Sequence, residues 1–391
     1  MAGEEKPYRV YRSGRGRGKL PRAPARSGEP RTGAGRERGW RVRPPTSRRR
    51  RAAQVFAILL GLFLAWAAAW TLASYFSFRD GVKAANARLA KSAEKALTHQ
   101  NGILWNHSTT ILLLGTDHAD VAGRTALHHT DSIMLVRTDP GHHRIYYLSI
   151  PRDLYVEIPG HGMNRINAAY QLGGAALAIR TVEQLTGLPI NHVAVVDFQE
   201  FRKLIDEIGG ITVDVPRPIQ SNSFDCPYTA ARCRTWKGWR FAKGKQHMNG
   251  ARALVYTRIR ENLLNPAEND LTRAARQQQV VQAISSKLAS VGTFFDLPFI
   301  GGDLVRPLAT DLSPGDFLWL AWIRLRSGNG RAVRCRLGGD PEYVGGAAVL
   351  HSSEQNRNVI SMFTGDSAPQ PPPPSTSNYE PGCVTGSRTL G

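Results

Sequence analysis

The sequence predicts an α/β fold, an α-β-α sandwich around a central mixed β-sheet, preceded by one transmembrane helix. Three observations support this prediction. An uncharged apolar run extends from Val55 to Ala73. After it, short strand-like runs alternate with helical patterns, as in sheets covered by helices on both faces. The turn Asp139-Pro140-Gly141 joins two of the strands as a hairpin, so we expect the sheet to be mixed.

Residues 1–51 form a basic arm that we expect to be disordered and cytoplasmic. The chain has 391 residues and a formal charge of +20, and the arm supplies +13 of it from 17 basic residues against 4 glutamates. Its Gly- and Pro-rich composition lacks the apolar residues of a core. Only about +7 remains for the folded part, so we expect no nucleic acid partner there.

Residues 52–77 are predicted to form the transmembrane helix. The 19 uncharged residues from Val55 to Ala73 would span roughly 29 Å, the thickness of a bilayer core. A cleaved signal peptide is the alternative, but 51 residues are far too many for its basic segment. The run of arginines at 48–51 predicts a single-pass plasma-membrane protein with a cytoplasmic N-terminus and the rest, from about residue 79, outside.

Residues 78–108 are predicted to be a juxtamembrane helix or stalk, because Phe78–His99 is Ala-rich with mixed charges. The catalytic domain is predicted at 109–291. Its first strands are short runs rich in β-branched or aromatic residues, TTILLLGTD, DSIMLVRTD and RIYYLSIPRD, and NHVAVVDF and GGITVDVP are further strands. Helical patterns cover Asn167–Thr186, Phe198–Ile208 and Leu271–Ser290.

Two regions follow the predicted domain. Residues 292–364 are expected to be a C-terminal extension packed on it. Residues 365–391 are expected to be a disordered tail, because APQPPPPSTSN is polar and shows no packing pattern.

The four cysteines permit disulfides in an extracytoplasmic domain. Cys226 and Cys233 lie close together in DCPYTAARC, so a local disulfide between them is the favoured pairing. The partners of Cys335 and Cys383 stay open. A zinc site with His247 is the alternative for the first pair, but no further partner lies at ligand spacing.

Polar residues at the strand ends carry the candidate chemistry. Asp117 follows the first strand, Asp131 opens the second, and Arg152 and Asp153 follow the third. Carboxylates suit a hard cation such as Mg²⁺ or Mn²⁺, and guanidinium groups bind phosphoryl oxygens bidentately. We therefore predict a metal ion on Asp117 and Asp131 beside a phosphate site.

Two later motifs add to the phosphate site. VYTRIR alternates like a strand, which would place Tyr256, Arg258 and Arg260 on one face. The long helix begins with Asp270, and helical spacing brings together Arg273, Arg276 and Gln277. A different metal site, from His118, His128 and His129, is less favoured because adjacent histidines in a Gly-containing loop are usually solvated.

The motifs LLLGTD, SIPRD, NRINAAYQLGG, LIDEIGGITVDV, YTRIR and DLTRAARQQQ occur in this order from about Thr110 to Ser290. In this succession the chain closely resembles the LytR-CpsA-Psr family. Members of that family have one N-terminal membrane helix and an extracytoplasmic domain that transfers a glycan from a polyprenyl-pyrophosphate carrier to peptidoglycan. The high Arg, Ala and Gly content suits an actinobacterial source.

The resemblance implies a role for each matching residue. The metal-binding acids of the family fall on Asp117 and Asp131, and its catalytic pyrophosphate-binding arginines on Arg152, Arg258 and Arg260. Arg165 replaces the usual lysine of a further motif, which alters the donor geometry. The remaining substrate-binding positions are Arg165, Arg273, Gln277, Tyr256 and Asp270.

One position departs from the family pattern. His129 stands before Thr130 and Asp131 where the family commonly has an arginine. Histidine is only fractionally charged near neutral pH, so this change puts full catalytic strength or the usual acceptor preference in question. Arg124 in the preceding loop could compensate.

The resemblance implies an Mg²⁺-dependent phosphotransferase of cell wall biogenesis that attaches a teichoic acid or wall polysaccharide to N-acetylmuramic acid through a phosphodiester. Its partners would be the polyprenyl-pyrophosphate-linked glycan, peptidoglycan and membrane lipids. Three alternatives stay open: a polyprenyl-pyrophosphate hydrolase, a non-catalytic lipid-glycan binder and a membrane-tethered transcriptional attenuator. The last is disfavoured because the basic arm has no helical recognition pattern.

Overall fold

The computed structural model describes residues 46–100, 104, 106–116, 130–265, 268, 270–328, 330–373 and 380–386. The helices are α1 Thr46–Arg88, α2 Lys91–Glu94, α3 Ala168–Thr186, α4 Phe198–Glu207, α5 Ala230–Cys233, α6 Gly250–Arg258, α7 Asp270–Leu288, α8 Val291–Val305, α9 Pro314–Ser327 and α10 Asn356–Thr364. The strands are β1 Thr109–Thr116, β2 Thr130–Asp139, β3 Arg144–Ile150, β4 Leu154–Ile158, β5 Gly162–Arg165, β6 His192–Asp197, β7 Ile211–Val215, β8 Ile219–Gln220, β9 Arg240–Phe241, β10 Gly244–Met248, β11 Ala309–Thr310, β12 Val333–Arg336, β13 Gly339–Val344, β14 Ala347–Ser352 and β15 Gly382–Thr385.

Helix α1 contains the predicted transmembrane segment and continues past it. Within Arg48–Arg88 an 18-residue window has a mean hydropathy of 2.2, which makes this helix long and apolar enough to cross a membrane. The helix also covers residues 46–51, so the prediction of disorder is wrong for the end of the basic arm. The rest of the arm, residues 1–45, lies outside the described residues.

The central sheet is mixed, as predicted. Its strand order is β11-β6-β1-β2-β3-β12-β15. β2 pairs antiparallel with β1 and β3, whereas β1 pairs parallel with β6 and β3 pairs parallel with β12. The β2–β3 turn is held by Asp139, whose carboxylate accepts from the backbone N–H of His142 at 3.1 Å. Smaller sheets join β10 to β7, β8 to β9, and β13, β14, β4 and β5 to one another.

Helices cover both faces of the sheet, which confirms the α-β-α sandwich. On one face, buried Leu112 and Leu148 belong to the same core as Ile179 of α3 and Phe363 of α10. On the other face, Met134 of β2 packs in a second cluster with α9 and α7 residues. The side chains alternate along β2, so one strand supplies both clusters.

The stretch VYTRIR is not a strand, so that prediction is wrong. Its first four residues form the end of α6, and the chain becomes extended only at Ile259. The helix begins at Asn249, whose side-chain oxygen accepts from the backbone N–H of Arg252 at 2.9 Å and caps it. Alternating polar and apolar residues over six positions are too short a signal to separate the two structures.

The C-terminal regions are part of the central sheet, which corrects two expectations. β12, inside the predicted extension 292–364, pairs parallel with β3. β15, inside the predicted disordered tail, pairs antiparallel with β12, and a disulfide joins Cys335 to Cys383 across this pair. No local pattern predicts this strand, because GCVT is short and follows a proline run. The predicted local disulfide Cys226–Cys233 is confirmed.

Candidate functional site

A large cavity lies between one face of the central sheet and helices α1, α4, α6, α7, α8 and α9, with a volume of about 850 Å³. Every second residue of β2 faces it: Ser132, Met134, Val136 and Thr138. Ile133 and Leu135, which lie between these residues on the strand, pack in the core on the opposite face of the sheet. Helix α7 contributes residues at helical spacing, Arg273, Gln277, Val280, Val281, Ile284 and Leu288. The cavity is therefore lined mainly by one face of β2 and one face of α7.

The cavity wall is polar at one end and mostly apolar along the rest, where Thr138, Ser285 and Arg324 are exceptions. On β2, Asp131 and Ser132 come first and are followed by Met134 and Val136. On α7, Arg273 and Gln277 lie in the first turns, and the residues beyond them that line the cavity are mostly apolar. From Arg273 to Leu288 the helix rises roughly 22 Å. The arrangement suits a long apolar ligand with an anionic head, because the N-terminus of α7 also favours negative charge.

The loop after β3 places Arg152 between two carboxylates. Its Nη1 donates to Asp131 Oδ1 at 2.6 Å, and its Nε donates to Asp153 Oδ2 at 3.3 Å. Arg165 Nη1 lies 3.7 Å from Asp153 Oδ1. The backbone N–H of Leu154 donates to the Pro151 carbonyl at 3.1 Å and closes the turn. These ion pairs fix the guanidinium of Arg152 in one orientation.

Arg152 adjoins the polar end of the cavity. It lines a small recess together with Asp131, Arg273 and Gln277, and the last three also line the main cavity. The Ser132 hydroxyl donates to Gln277 Oε1 at 3.1 Å, which ties β2 to α7. The side chain of Arg152 is only 16% exposed, so the recess is largely shielded from water.

Arg258 and Arg260 reach the same cavity from α6 and the residues after it. Arg258 donates to the carboxylate of Asp225, and its guanidinium carbon lies 5.0 Å from the ring centre of Phe198. Such ion pairs and cation–π contacts orient a guanidinium group. The polar end thus combines Asp131, Arg258, Arg260, Arg273 and Gln277.

Tyr256 does not lie in this site. It is fully buried, and its hydroxyl donates to Gln279 Oε1 at 2.8 Å. Burial raises the pKa of its phenol, so the group stays neutral. Because α6 is a helix, Tyr256 points into the core while Arg258 points to the cavity, and the prediction that they share a face is wrong.

Arg276 is separated from the other α7 residues predicted beside it. Its Nη1 donates to Glu268 Oε2 at 2.9 Å, and it also donates to the carbonyl of Ile259. The pair is buried, with both side chains 5% exposed. Arg276 therefore fixes the segment before α7, whereas Arg273 and Gln277, four residues apart, line the cavity.

Only one of the two predicted metal ligands is described. Asp117 lies outside the described residues, as do Arg124 and the three histidines at 118, 128 and 129. Thr116, directly before Asp117 in sequence, pairs with Thr130, directly before Asp131. Asp131 offers the hard oxygen that Mg²⁺ prefers and lines the cavity. Asp270 begins α7, but its side chain is outside the described part. Within the described ranges no three His, Cys, Asp or Glu side chains form a cluster suited to a metal ion.

The sequence reasoning missed two contacts at the site. These contacts involve Ser132 and Asp225. Ser132 lies on β2 directly after Asp131, but the alternation of side chains along a strand does not by itself say which face points to the cavity. Asp225 precedes Cys226 of the local disulfide, and no local pattern indicates that this loop returns to α6.

Comparisons with known proteins agree with this architecture. A family model, LytR_cpsA_psr family, matches residues 72–362. Regulatory protein MsrR of Staphylococcus aureus (strain COL) is 34% identical over 232 residues, which are 58% of this chain and 63% of MsrR. Polyisoprenyl-teichoic acid--peptidoglycan teichoic acid transferase TagU of Bacillus mycoides (strain KBAB4) is 36% identical over 183 residues, which are 46% of this chain and 53% of TagU.

A solved structure shares the fold. The structure of TagT bound to LIIa-WTA has a TM-score of 0.53 and 26% sequence identity, and the match covers 68% of this chain and 93% of TagT. The chain spans less than two thirds of the length of the curated relatives named above. The family model nevertheless extends from α1 to α10 and includes the strands and helices around the cavity, so the chain belongs to the LytR-CpsA-Psr family.

Proposed function

We propose that the chain is a membrane-anchored, extracytoplasmic phosphotransferase that moves a glycopolymer from a polyprenyl-pyrophosphate carrier to peptidoglycan. The observation that carries the proposal is the cavity, which has a long apolar body and an arginine-rich end. The name of the relative TagU states a polyisoprenyl-linked donor, a peptidoglycan acceptor and a transferase activity, which supports the same chemistry. The orientation follows from the basic residues before the apolar run of α1.

The substrate would lie along the cavity. The isoprenoid chain would pack against the apolar residues of β2 and α7, and the pyrophosphate would lie between Arg258, Arg260 and Arg273. Guanidinium groups bind phosphoryl oxygens through two parallel hydrogen bonds, which fixes the phosphate as well as neutralising it. Arg152, held by Asp131 and Asp153, would contact the phosphate that is attacked.

The reaction would be a displacement at phosphorus. A peptidoglycan hydroxyl, by family resemblance the 6-OH of N-acetylmuramic acid, attacks the glycan-linked phosphorus. A new P–O bond forms, the bridging P–O bond of the pyrophosphate breaks, and polyprenyl phosphate leaves with its electron pair. The hydroxyl proton passes to a carboxylate, for which Asp153 is the described candidate beside Arg152. The arginines stabilise the charge that develops on the leaving group.

We propose a divalent cation at this end of the cavity, because the carboxylate of Asp131 lines it and offers hard oxygen. Asp131, together with Asp117, would hold Mg²⁺ or Mn²⁺ through carboxylate oxygens. Such an ion supplies charge neutralisation at the pyrophosphate when bound. The same carboxylate of Asp131 also accepts from Arg152 Nη1, so it would lie between the cation and this guanidinium group.

The full-length chain in detergent micelles, with lipid-linked glycan, peptidoglycan and Mg²⁺, tests the proposal. We expect glycan joined to peptidoglycan through a phosphodiester and release of one polyprenyl phosphate for each glycan transferred. Absence of that linkage with all components present would contradict the proposal.

A hydrolase would use the same residues with water as the acceptor. The same assay separates the two activities, because a hydrolase releases glycan phosphate at the same rate without peptidoglycan. The relative MsrR is named a regulatory protein. A non-enzymatic regulator or lipid-glycan binder would bind the lipid-linked glycan without turnover.

A further inference from the structure

Helix α8 has an apolar end that is exposed and another end that is buried. In its first half Val291 is 73% exposed, Phe294 and Phe295 51%, and Phe299 82%. In its second half Gly301, Gly302, Leu304 and Val305 are buried. Three phenylalanines and a valine exposed within nine residues are costly in water and indicate an interaction surface.

The exposed half of α8 lies against the membrane-spanning helix. The rings of Phe294 and Trp70 have centroids 4.5 Å apart, and the Trp70 indole donates to the Phe295 carbonyl at 3.3 Å. Further along, the backbone N–H of Gly302 donates to Ser77 Oγ at 3.1 Å. The two helices therefore run side by side in the same direction, and the exposed half of α8 meets the earlier part of α1.

The position of Trp70 sets the depth of this contact. The apolar run of α1 ends at Ala73, three residues after Trp70, which corresponds to roughly 4.5 Å along the helix, and the first charged residue after it is Arg79. Tryptophan prefers the membrane–water boundary, so Trp70 marks the outer boundary of the bilayer. Phe294, stacked on Trp70, lies at the same level.

The cavity reaches the surface at this place. Thr71 and Tyr75 of α1, Phe294 of α8 and Leu318 of α9 all line the cavity, and all four are exposed. The cavity wall is thus open between α1 and the two later helices. This opening is at the apolar part of the cavity, away from Arg273 and Gln277.

We propose that the first turns of α8, Val291–Phe299, insert into the outer boundary of the bilayer beside α1, and that the substrate's isoprenoid chain enters the cavity there, sideways from the bilayer. The occupant of this surface is lipid, because the surface is continuous with the helix that crosses the membrane. Asp296 is exposed in the same turns and limits insertion to the headgroup level. The entry route rests on the proposed function; the insertion of α8 does not.

Spin labelling of the full chain in phospholipid vesicles tests the insertion. All four native cysteines are in disulfides, so Val291→Cys, at the deepest residue of α8, supplies one reactive thiol. Tyr343→Cys on β13 is the matched control, since Val291 is 73% and Tyr343 80% exposed. We expect the label at 291 to be accessible to oxygen and protected from an aqueous nickel complex, with the reverse at 343. Equal exposure of both labels to nickel would overturn the proposal.

Transfer assays test the entry route. The double variant Val291→Glu, Phe299→Glu changes exposed residues outside the cavity lining and places two carboxylates at the membrane boundary. We expect at least about tenfold slower transfer from donor lipid in vesicles, because charges at this depth are strongly disfavoured. In detergent micelles, where the donor needs no lateral entry, the rate should stay within about twofold of the unmodified chain, which corresponds to about 0.4 kcal/mol.

The controls separate the two proposals. Tyr343→Glu should keep the full rate in both media. An unchanged rate of the double variant in vesicles would contradict lateral entry, and an equal loss in micelles would show that the variant damages the site itself and would also contradict it. If the unmodified chain transfers nothing in either medium, the proposed function fails, while the spin labels still decide whether α8 is inserted.

Discussion

At the residue scale, Arg152 depends on its two carboxylate neighbours for its orientation. Removing it leaves Asp131 and Asp153 without this partner, but both are about one fifth exposed, so water can solvate them. We therefore expect loss of the Arg152 side chain to lower the transfer rate much more than the stability of the fold. A guanidinium group stabilises the charge that develops in a transition state far more strongly in a shielded recess than in water.

We predict that Arg152→Ala lowers transfer by at least about a hundredfold, the scale found for loss of one donor to a developing oxyanion. Arg152→Lys should recover a minor part of the rate, because it keeps the charge and loses the bidentate geometry. The measurement is glycan linkage to peptidoglycan, with the melting temperature as a check on folding. Arg357→Ala, at an exposed arginine of α10, is the control, and a rate for Arg152→Ala near that control would remove Arg152 from the site.

Tyr256 was expected at the site but is buried in the core, so we expect its substitution to change stability rather than activity. Tyr256→Phe removes one buried hydrogen bond, to Gln279, and should lower the free energy of unfolding by about 1 kcal/mol. Transfer should remain close to that of the unmodified chain. Thermal unfolding and the transfer assay on the same preparation check this prediction. A large loss of activity with unchanged stability would indicate a role in substrate binding.

Among the elements, β15 is the edge strand of the central sheet, and a disulfide links it to β12. The pair Cys335–Cys383 is separated by 48 residues, and a loop of that size gives about 4 kcal/mol in the chain-entropy model. The pair Cys226–Cys233 is separated by only 7 residues, for which the same model gives about 2.5 kcal/mol.

We therefore predict that Cys335→Ala with Cys383→Ala lowers the melting temperature more than Cys226→Ala with Cys233→Ala does. The second double variant serves as the matched control, since it also removes one disulfide. The measurement is thermal unfolding of the full chain in detergent. Equal melting temperatures would mean that β15 contributes little to the sheet.

The elements differ in how far the sequence predicts them. The runs at β1, β2, β3 and β6 were predictable because strongly apolar residues lie between clear turn signals. β15 was not, because four residues behind a proline run owe their structure to β12 and to a disulfide 48 residues away in the chain. Likewise Arg258 could be predicted as a phosphate ligand from its motif, whereas its contact with Asp225 depends on tertiary structure. Local sequence patterns therefore predict most of these elements, whereas the geometry of the site depends on contacts between residues that are distant in the sequence.

For the molecule as a whole, the proposed orientation divides the charge of the chain between the two sides of one membrane. The arginines at 48–51 precede the apolar run, and the described disulfides lie after it. An oxidising exterior favours these disulfides, and anionic lipid on the cytoplasmic side attracts the basic arm. Both observations support the orientation that we propose.

We predict that a membrane-impermeant maleimide labels Tyr343→Cys in intact cells and labels Arg26→Cys only after lysis. The native cysteines do not react, because all of them form disulfides. The measurement is the labelled fraction of each full-length variant before and after lysis. Labelling of Arg26→Cys in intact cells would reverse the orientation.

The helix that we propose as the membrane anchor also forms a wall of the cavity, through Trp70, Tyr75 and Phe78. These three residues belong to the same helix as the apolar run, so no separate linker in the sequence lies between that run and the cavity wall. With Ala73 at the membrane boundary, the fifteen residues from Ser74 to Arg88 rise roughly 22 Å above it. For the proposed function, this arrangement places the cavity near the lipid surface and predicts that transfer is limited to peptidoglycan close to the membrane.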